Sequence, residues 1–533
     1  MLIPESTFGR SLLAVLGALA LVACGPPGVG DGGPGGGVGG GAGGGSGGGS
    51  PSGGGAPTGG GSASGGGAAS GGGAASGGGA ASGGGSASGG GAATGGGSAT
   101  GGGGGATPSV SDPATPCSDA KGNVYTVSAT GNEPLGARLA CHFERTLDAM
   151  TVMSETPSAP SNPSPVDLHL LAYRTTRRGN VAGVGTARVY LPRIPKAGPL
   201  PVVVVMHGSV GVADNCAPST EMNGLFSLAL PWASRGYAVI APDLAGLGNA
   251  GVQGYVDNHD TAMSTLDGIR ALRSLLPAGA LDGRAILIGY SQGGGAVFAA
   301  QSYERTYGSG GTISAVVGVA PQFFTRLNSF GYVGMLRNPT ALTVAQGYTK
   351  PVVGALRQYG WFENTLGAGH GLDAFPADGG AGTVDALERR CLIDLGAWLP
   401  SNRTRVSELI DDTLRTTFLA CVDAPTSAGC VPPGKPFYDG LVSDLMAGDS
   451  MGAPVLYLQG GLDTVMPVGE EAACNVPAMR DAGVRMTYCT DGFAAHNNIY
   501  DRNVELVRTW AEATTLGTTP PMCSGSGPPS CPP

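Results

Sequence analysis

The stretch Ile286-Leu287-Ile288-Gly289-Tyr290-Ser291-Gln292-Gly293-Gly294 restricts the fold more than any other. Three β-branched or long aliphatic residues in a row are apolar on both faces, as in a strand buried inside a sheet. A run of small residues, 294–301, follows at once and reads as a helix packed close to its neighbours. Passing from strand to helix without a spacer requires a tight turn, and a G-x-S-x-G pentapeptide provides one. Glycine two residues either side of the serine lets strand and helix approach. Such a turn exposes Ser291 at the C-terminal edge of the sheet, where open α/β sheets place their chemistry.

The same reading extends outwards. Residues 200–206 (Leu-Pro-Val-Val-Val-Val-Met), 237–242, 284–289, 313–319, 455–458 and 484–488 have strand character, and 222–234 and 260–276 have helical spacing. Strands alternating with helices predict an α/β chain with a mostly parallel central sheet flanked by helices. The alternation stops over residues 321–452, which lack clean strand runs and carry helical pieces at 383–399 and 405–419. A largely helical cap inserted between two sheet strands accounts for this. The catalytic domain is expected over residues 117–533.

A serine hydroxyl needs a base to become a nucleophile. His496 follows the last expected strand and precedes a final helix. Asp463 follows the strand before it, in Gly460-Gly461-Leu462-Asp463. The chain order Ser291, Asp463, His496 is that of the α/β-hydrolase architecture, with Asp463 orienting the imidazole. Asp491 and Asp501 are rival acids but lie beside the histidine rather than after the preceding strand. An oxyanion requires preorganised donors. Gln292, at the start of the elbow helix, is expected to give one and Ser209, in the loop after residues 200–206, the other. His207 reads as a brace for that loop. No pair among His142, His169, His259 and His370 has metal-ligand spacing with His or Cys, so neither metal nor cofactor is expected.

The N-terminal fifth of the chain is different. Glycine makes up 99 of the 533 residues, and 46 of them fall within residues 25–105. Within this stretch Ala-(Ser/Thr)-Gly-Gly-Gly-(Ala/Ser) repeats six times, from Ala63 to Ser98. Glycine in runs of three and four is not a collagen period, and a segment with nothing to bury stays a coil. Residues 24–116 therefore read as a disordered tether. Arg10 precedes an apolar run, 11–23, too short to span a bilayer of about 30 Å but suited to a signal peptide. That run ends Leu21-Val22-Ala23-Cys24, like a bacterial lipobox. Residues 1–23 are expected to be removed and Cys24 lipidated. The expected location is the cell envelope, periplasmic or surface-exposed, in the outer membrane in preference to the inner. A net charge of −9 without a basic stretch argues against nucleic acid as a partner. The chain is expected to be a monomer.

Setting Cys24 aside leaves ten cysteines, an even number suited to an oxidising compartment. Nearness in sequence favours Cys117–Cys141, Cys421–Cys430, Cys474–Cys489 and Cys523–Cys531, leaving Cys216–Cys391 as a long-range pair.

The segment His207-Gly208-Ser209-Val210-Gly211-Val212-Ala213-Asp214-Asn215-Cys216-Ala217-Pro218-Ser219 resembles the oxyanion segment of the secretory lipase family, the fungal lipase A type and its bacterial relatives. Arg235 to Asp243, Gly246-Leu247-Gly248 and the elbow Gly289 to Gly294 extend the likeness, which runs from about Leu200 to Trp510 and is weakest across the cap. The resemblance implies an α/β-hydrolase fold and cleavage of lipid esters. It also implies a tie between Cys216 and the cap, and a cysteine pair bracketing the acid-to-histidine segment, like Cys474 and Cys489. Ser209 stands where threonine is common, and Phe493-Ala494-Ala495 replaces the usual glycine before the histidine, so acyl-chain preference can differ. The expected activity is serine-dependent hydrolysis of carboxylic esters, with an acylglycerol or other small ester as substrate. The alternatives are a non-lipolytic carboxylesterase on polysaccharide or aromatic esters, and a catalytically inactive surface-binding module.

Overall fold

The computed structural model describes residues 111–533 except 157, 222–224, 341–348, 524–526, 529 and 532–533. The expected signal peptide, Cys24 and nearly all of the tether lie outside the described residues. Nine strands form one sheet: β1 (Arg138–Leu147), β2 (Val166–Arg177), β3 (Val181–Pro192), β4 (Leu200–Met206), β5 (Ala238–Pro242), β6 (Leu281–Tyr290), β7 (Thr312–Val319), β8 (Val455–Gly460) and β9 (Met486–Asp491). Their order is β1-β2-β3-β5-β4-β6-β7-β8-β9. From β5 to β9 every pairing is parallel; β1, β2 and β3 are antiparallel additions at one edge.

The valine run of β4 is apolar throughout because both sheet faces are covered. Val202, Val204 and Met206 point into a core that includes the helices Asn258–Leu275 and Gln292–Tyr307. Val203 and Val205 point the other way, towards the helices Phe226–Ala233 and Ile499–Leu516. Full burial of each such side chain contributes roughly 1.5–3 kcal/mol. Helix starts follow local chemistry: Asp257 caps Asn258–Leu275 by accepting the Asp260 N–H at 3.0 Å.

Residues between β7 and β8 form helices and no strand among the described residues. Helical pieces are thus where the sequence places them, with two corrections. The expected single helix over 383–399 is two, Gly380–Arg389 and Leu392–Asn402. The break at Cys391 lets its sulfur reach Cys216 and the Leu392 N–H reach the Val210 carbonyl at 2.8 Å. The helix expected over 405–419 begins later, at Asp412, capped by Asp411. This insertion shares an apolar core with Val212, Tyr255, Val256 and Met466, so it packs on the loops that follow β4, β5 and β8. Arg178, in the turn between β2 and β3, reinforces the attachment by bonding Asp257 at 2.5 Å and Asp444 of the insertion at 2.8 Å. Burial, with Asp257 alongside, holds the Asp444 carboxyl above the usual carboxylate range.

Five disulfides form among the described residues. Cys117–Cys141, Cys216–Cys391 and Cys421–Cys430 are paired as expected. The other two expected pairs, Cys474–Cys489 and Cys523–Cys531, are exchanged: the bonds are Cys474–Cys531 and Cys489–Cys523. Nearness in sequence misleads here because the segment after the last helix folds back along β9, with the Cys523 sulfur 3.6 Å from the Tyr488 carbonyl oxygen. Peptide mapping of the unreduced protein should recover a peptide joining Cys474 to Cys531 and another joining Cys489 to Cys523. Recovery of the sequence-adjacent pairs would overturn this connectivity.

Candidate active site

Ser291 sits between β6 and the helix Gln292–Tyr307 with φ 53° and ψ −117°, a left-handed conformation costly for a side chain. The surrounding structure holds it there. Its N–H donates to the Val319 carbonyl at 2.9 Å, and its own carbonyl accepts from the Gln322 N–H at 2.8 Å. The glycines of the motif are dictated by close approach. A Cβ on Gly289 would lie 1.9 Å from the Gly293 carbonyl oxygen, and one on Gly293 would lie 2.2 Å from that of Met206.

The turn brings together three residues far apart in sequence. His496 Nε2 lies 3.0 Å from Ser291 Oγ, and His496 Nδ1 lies 2.8 Å from Asp463 Oδ2. Asp463 is held by the N–H groups of Val465 and Met466, which donate to Oδ1 at 2.9 and 2.7 Å. All three side chains are buried. An acceptor fixed on Nδ1 selects the tautomer that leaves Nε2 free to take the serine proton. Of the two rival acids, Asp491 is engaged elsewhere. Asp491 accepts from Arg502 at 2.9 Å, which with the other donors holds its carboxyl below the usual range, and from the Phe493 N–H at 3.0 Å. Burial raises the Asp501 carboxyl.

The loop after β4 lies against the serine. A Cβ on Gly208 would come 3.5 Å from Ser291 Cβ. Ser209 follows it, half-buried, and Gln292 opens the elbow helix, fully buried. Among the described residues neither backbone N–H, of Ser209 or of Gln292, is taken up by another group. His207 is buried behind this loop, with Nδ1 2.6 Å from the Gly208 carbonyl oxygen and Nε2 2.9 Å from that of Asp243. It is placed to brace the loop, as the sequence suggests.

Four neighbours have no sequence signature. Gln459, buried in β8, donates from Nε2 to Asp463 Oδ2 at 3.3 Å and to the Met466 carbonyl at 2.8 Å. Tyr290 donates its hydroxyl to the His496 carbonyl at 3.0 Å. Tyr255 and Gln322 meet the Ser209 side chain. No cluster of metal-ligating side chains occurs among the described residues.

A mostly parallel sheet with helices on both faces, a serine on a strand-to-helix elbow after β6, an aspartate after β8 and a histidine after β9 together define an α/β-hydrolase fold, here with a helical insertion between β7 and β8. A model of the secretory lipase family matches residues 219–328, a span that holds the elbow but neither Asp463 nor His496. Among solved structures, Candida antarctica lipase A in its closed state superposes with a TM-score of 0.55 at 18% identity, over 77% of this chain and 89% of that one. A ligand-bound form of the rice cell wall degrading esterase LipA from Xanthomonas oryzae gives 0.52 at 17% identity, over 72% of this chain and 97% of that one. At such identities the likeness establishes the fold. Comparison with curated protein sequences gives no match.

Proposed function

We propose that the chain is a serine-dependent carboxylic ester hydrolase, and specifically a lipase acting on acylglycerols. The observation that carries the reading is the continuous Ser291–His496–Asp463 hydrogen-bonded chain at a strained elbow. Strain of roughly 1–3 kcal/mol at one residue persists where the surroundings over-determine it, and such sites are typically functional.

In this scheme Ser291 Oγ attacks the ester carbonyl carbon while its proton passes to His496 Nε2. Asp463 orients the imidazole and stabilises its charge. The tetrahedral oxyanion is met by the N–H groups of Ser209 and Gln292. As the intermediate collapses, the bond to the alkoxy oxygen breaks and His496 gives its proton to the leaving alcohol. A water molecule then loses a proton to His496 and attacks the acyl-enzyme. The acid departs, and the proton returns to Ser291.

The family match over residues 219–328 supports a lipid ester as substrate. Five disulfides fit a compartment outside the cytoplasm, and no helix among the described residues is long and apolar enough to cross a membrane. Attachment through a lipidated Cys24, at the end of a long glycine-rich tether, completes the reading.

A fluorophosphonate probe should label one tryptic peptide, the one containing Ser291. The labelled enzyme should then be compared with untreated enzyme on tributyrin, trioctanoin and triolein emulsions. Turnover of all three by untreated enzyme, lost on labelling, is the expected result. Turnover confined to tributyrin and short soluble esters would replace the lipase by a non-lipolytic esterase. No labelling and no turnover would leave a binding module.

A further inference from the structure

The Ser209 side chain belongs to a closed polar triangle beside the nucleophile. Its Oγ lies 2.7 Å from the Tyr255 hydroxyl and 3.4 Å from Gln322 Oε1, and the Tyr255 hydroxyl lies 3.2 Å from the same Gln322 oxygen. Three oxygen-to-oxygen contacts share only two protons, one from serine and one from tyrosine, so one contact is always without a hydrogen. Gln322 Oε1 can accept from either hydroxyl, so the two protons have several arrangements, two of which differ in whether the serine proton is spent on Tyr255. In one, Tyr255 donates to Gln322 and Ser209 donates to Tyr255. In the other, Tyr255 donates to Ser209, and the serine proton is free to point elsewhere.

We propose that Tyr255 and Gln322 are positioning residues that act through Ser209, turning its hydroxyl into a third oxyanion donor as negative charge develops. This rests on the ester-hydrolase reading above. While the site is empty, Gln322 Oε1 holds the tyrosine proton and Ser209 points at Tyr255. When the tetrahedral oxyanion forms, the Ser209 proton turns to it. The Tyr255 proton, 2.7 Å away, then turns from Gln322 to Ser209 Oγ. No covalent bond changes and no proton leaves its oxygen; two hydroxyls rotate. A hydroxyl that accepts a hydrogen bond while donating one is polarised into a stronger donor.

The placement fits each role. Gly208 packs on Tyr290 and Ser291, and Ser209 is the next residue along that loop. Gln322 is anchored from the other side, since its backbone N–H bonds the Ser291 carbonyl at 2.8 Å. Tyr255 is buried in the core that the helical insertion shares with the sheet loops. Burial pushes its phenol up to about 12, so it keeps the proton it must donate.

The test uses the full chain and p-nitrophenyl butyrate, with four variants: Tyr255→Phe, Ser209→Ala, Ser209→Thr and the double Tyr255→Phe/Ser209→Ala. Loss of one oxyanion donor costs about 10²–10³ in kcat. Ser209→Ala is expected to fall about 10²-fold in kcat with KM changed less than about twofold, and Ser209→Thr to recover most of that loss. Tyr255→Phe is expected to lose about tenfold in kcat in the wild-type background and nothing further in the Ser209→Ala background, as residues acting as a unit do. Equal losses in both backgrounds would make Tyr255 a packing residue and overturn the proposal, as would an unchanged kcat in Tyr255→Phe or in Ser209→Ala. An inactive, unlabelled wild-type protein would instead count against the hydrolase reading itself.

Discussion

Replacing Ser291 with alanine should lower kcat/KM for p-nitrophenyl butyrate by about 10⁴–10⁶-fold, the range seen when the nucleophile of such a triad is removed. The magnitude follows from the scheme. Without the hydroxyl there is no acyl-enzyme, and His496 and Asp463 have no serine proton to move. Only water attack assisted by the oxyanion donors remains. The substitution should leave the fold intact. Alanine keeps the Cβ that the elbow already accommodates, and loses only one hydroxyl, the one bonded to His496 Nε2. Far-UV circular dichroism and Tm should therefore stay close to wild type. Turnover within tenfold of wild type would remove Ser291 from the mechanism.

Gly289→Ala should be the most damaging small substitution for folding. A methyl group there would sit 1.9 Å from the Gly293 carbonyl oxygen and 2.3 Å from its carbon. Gly293 cannot retreat, because a Cβ on it would already lie 2.2 Å from the Met206 oxygen and 2.5 Å from that of His207. The strand, elbow and helix are thus wedged against β4, and relief requires moving backbone in a sheet core. A destabilisation above about 4 kcal/mol is expected, in the range reserved for core overpacking and backbone strain, seen as loss of soluble protein or a collapsed Tm. Gly283→Ala serves as the control: no heavy atom lies within 4 Å of its would-be Cβ, so stability should change by no more than about 0.5 kcal/mol. A Gly289→Ala protein with a Tm within a few degrees of wild type would refute the close-approach account.

The parallel part of the sheet was legible because burial on both faces writes long apolar runs, as in β4 and β6. The antiparallel edge was not. β2 and β3 bury Arg174, Thr175, Thr186 and Arg188, and a strand carrying buried charge does not read as one. Arg188 is tolerated there because Glu144 of β1 meets it at 3.0 Å, a partner 44 positions away. Ser291, Asp463 and His496 could be found because chain order and position after a strand are sequence properties. Tyr255 and Gln322 could not. They lie 46 and 113 positions from Ser209, and only the close approach of the loops after β4, β5 and β7 makes them neighbours. The exchanged cysteine pairs have the same origin, a chain that doubles back where its sequence shows no sign of it.

The Cys216–Cys391 bond decides how the helical insertion can move. Together with the Leu392–Val210 hydrogen bond it rivets one margin of the insertion to the chain that runs on from Ser209. That margin cannot part from the loop without breaking a covalent bond, whereas at Asp444 the insertion is held to Arg178 by charge and hydrogen bonding alone.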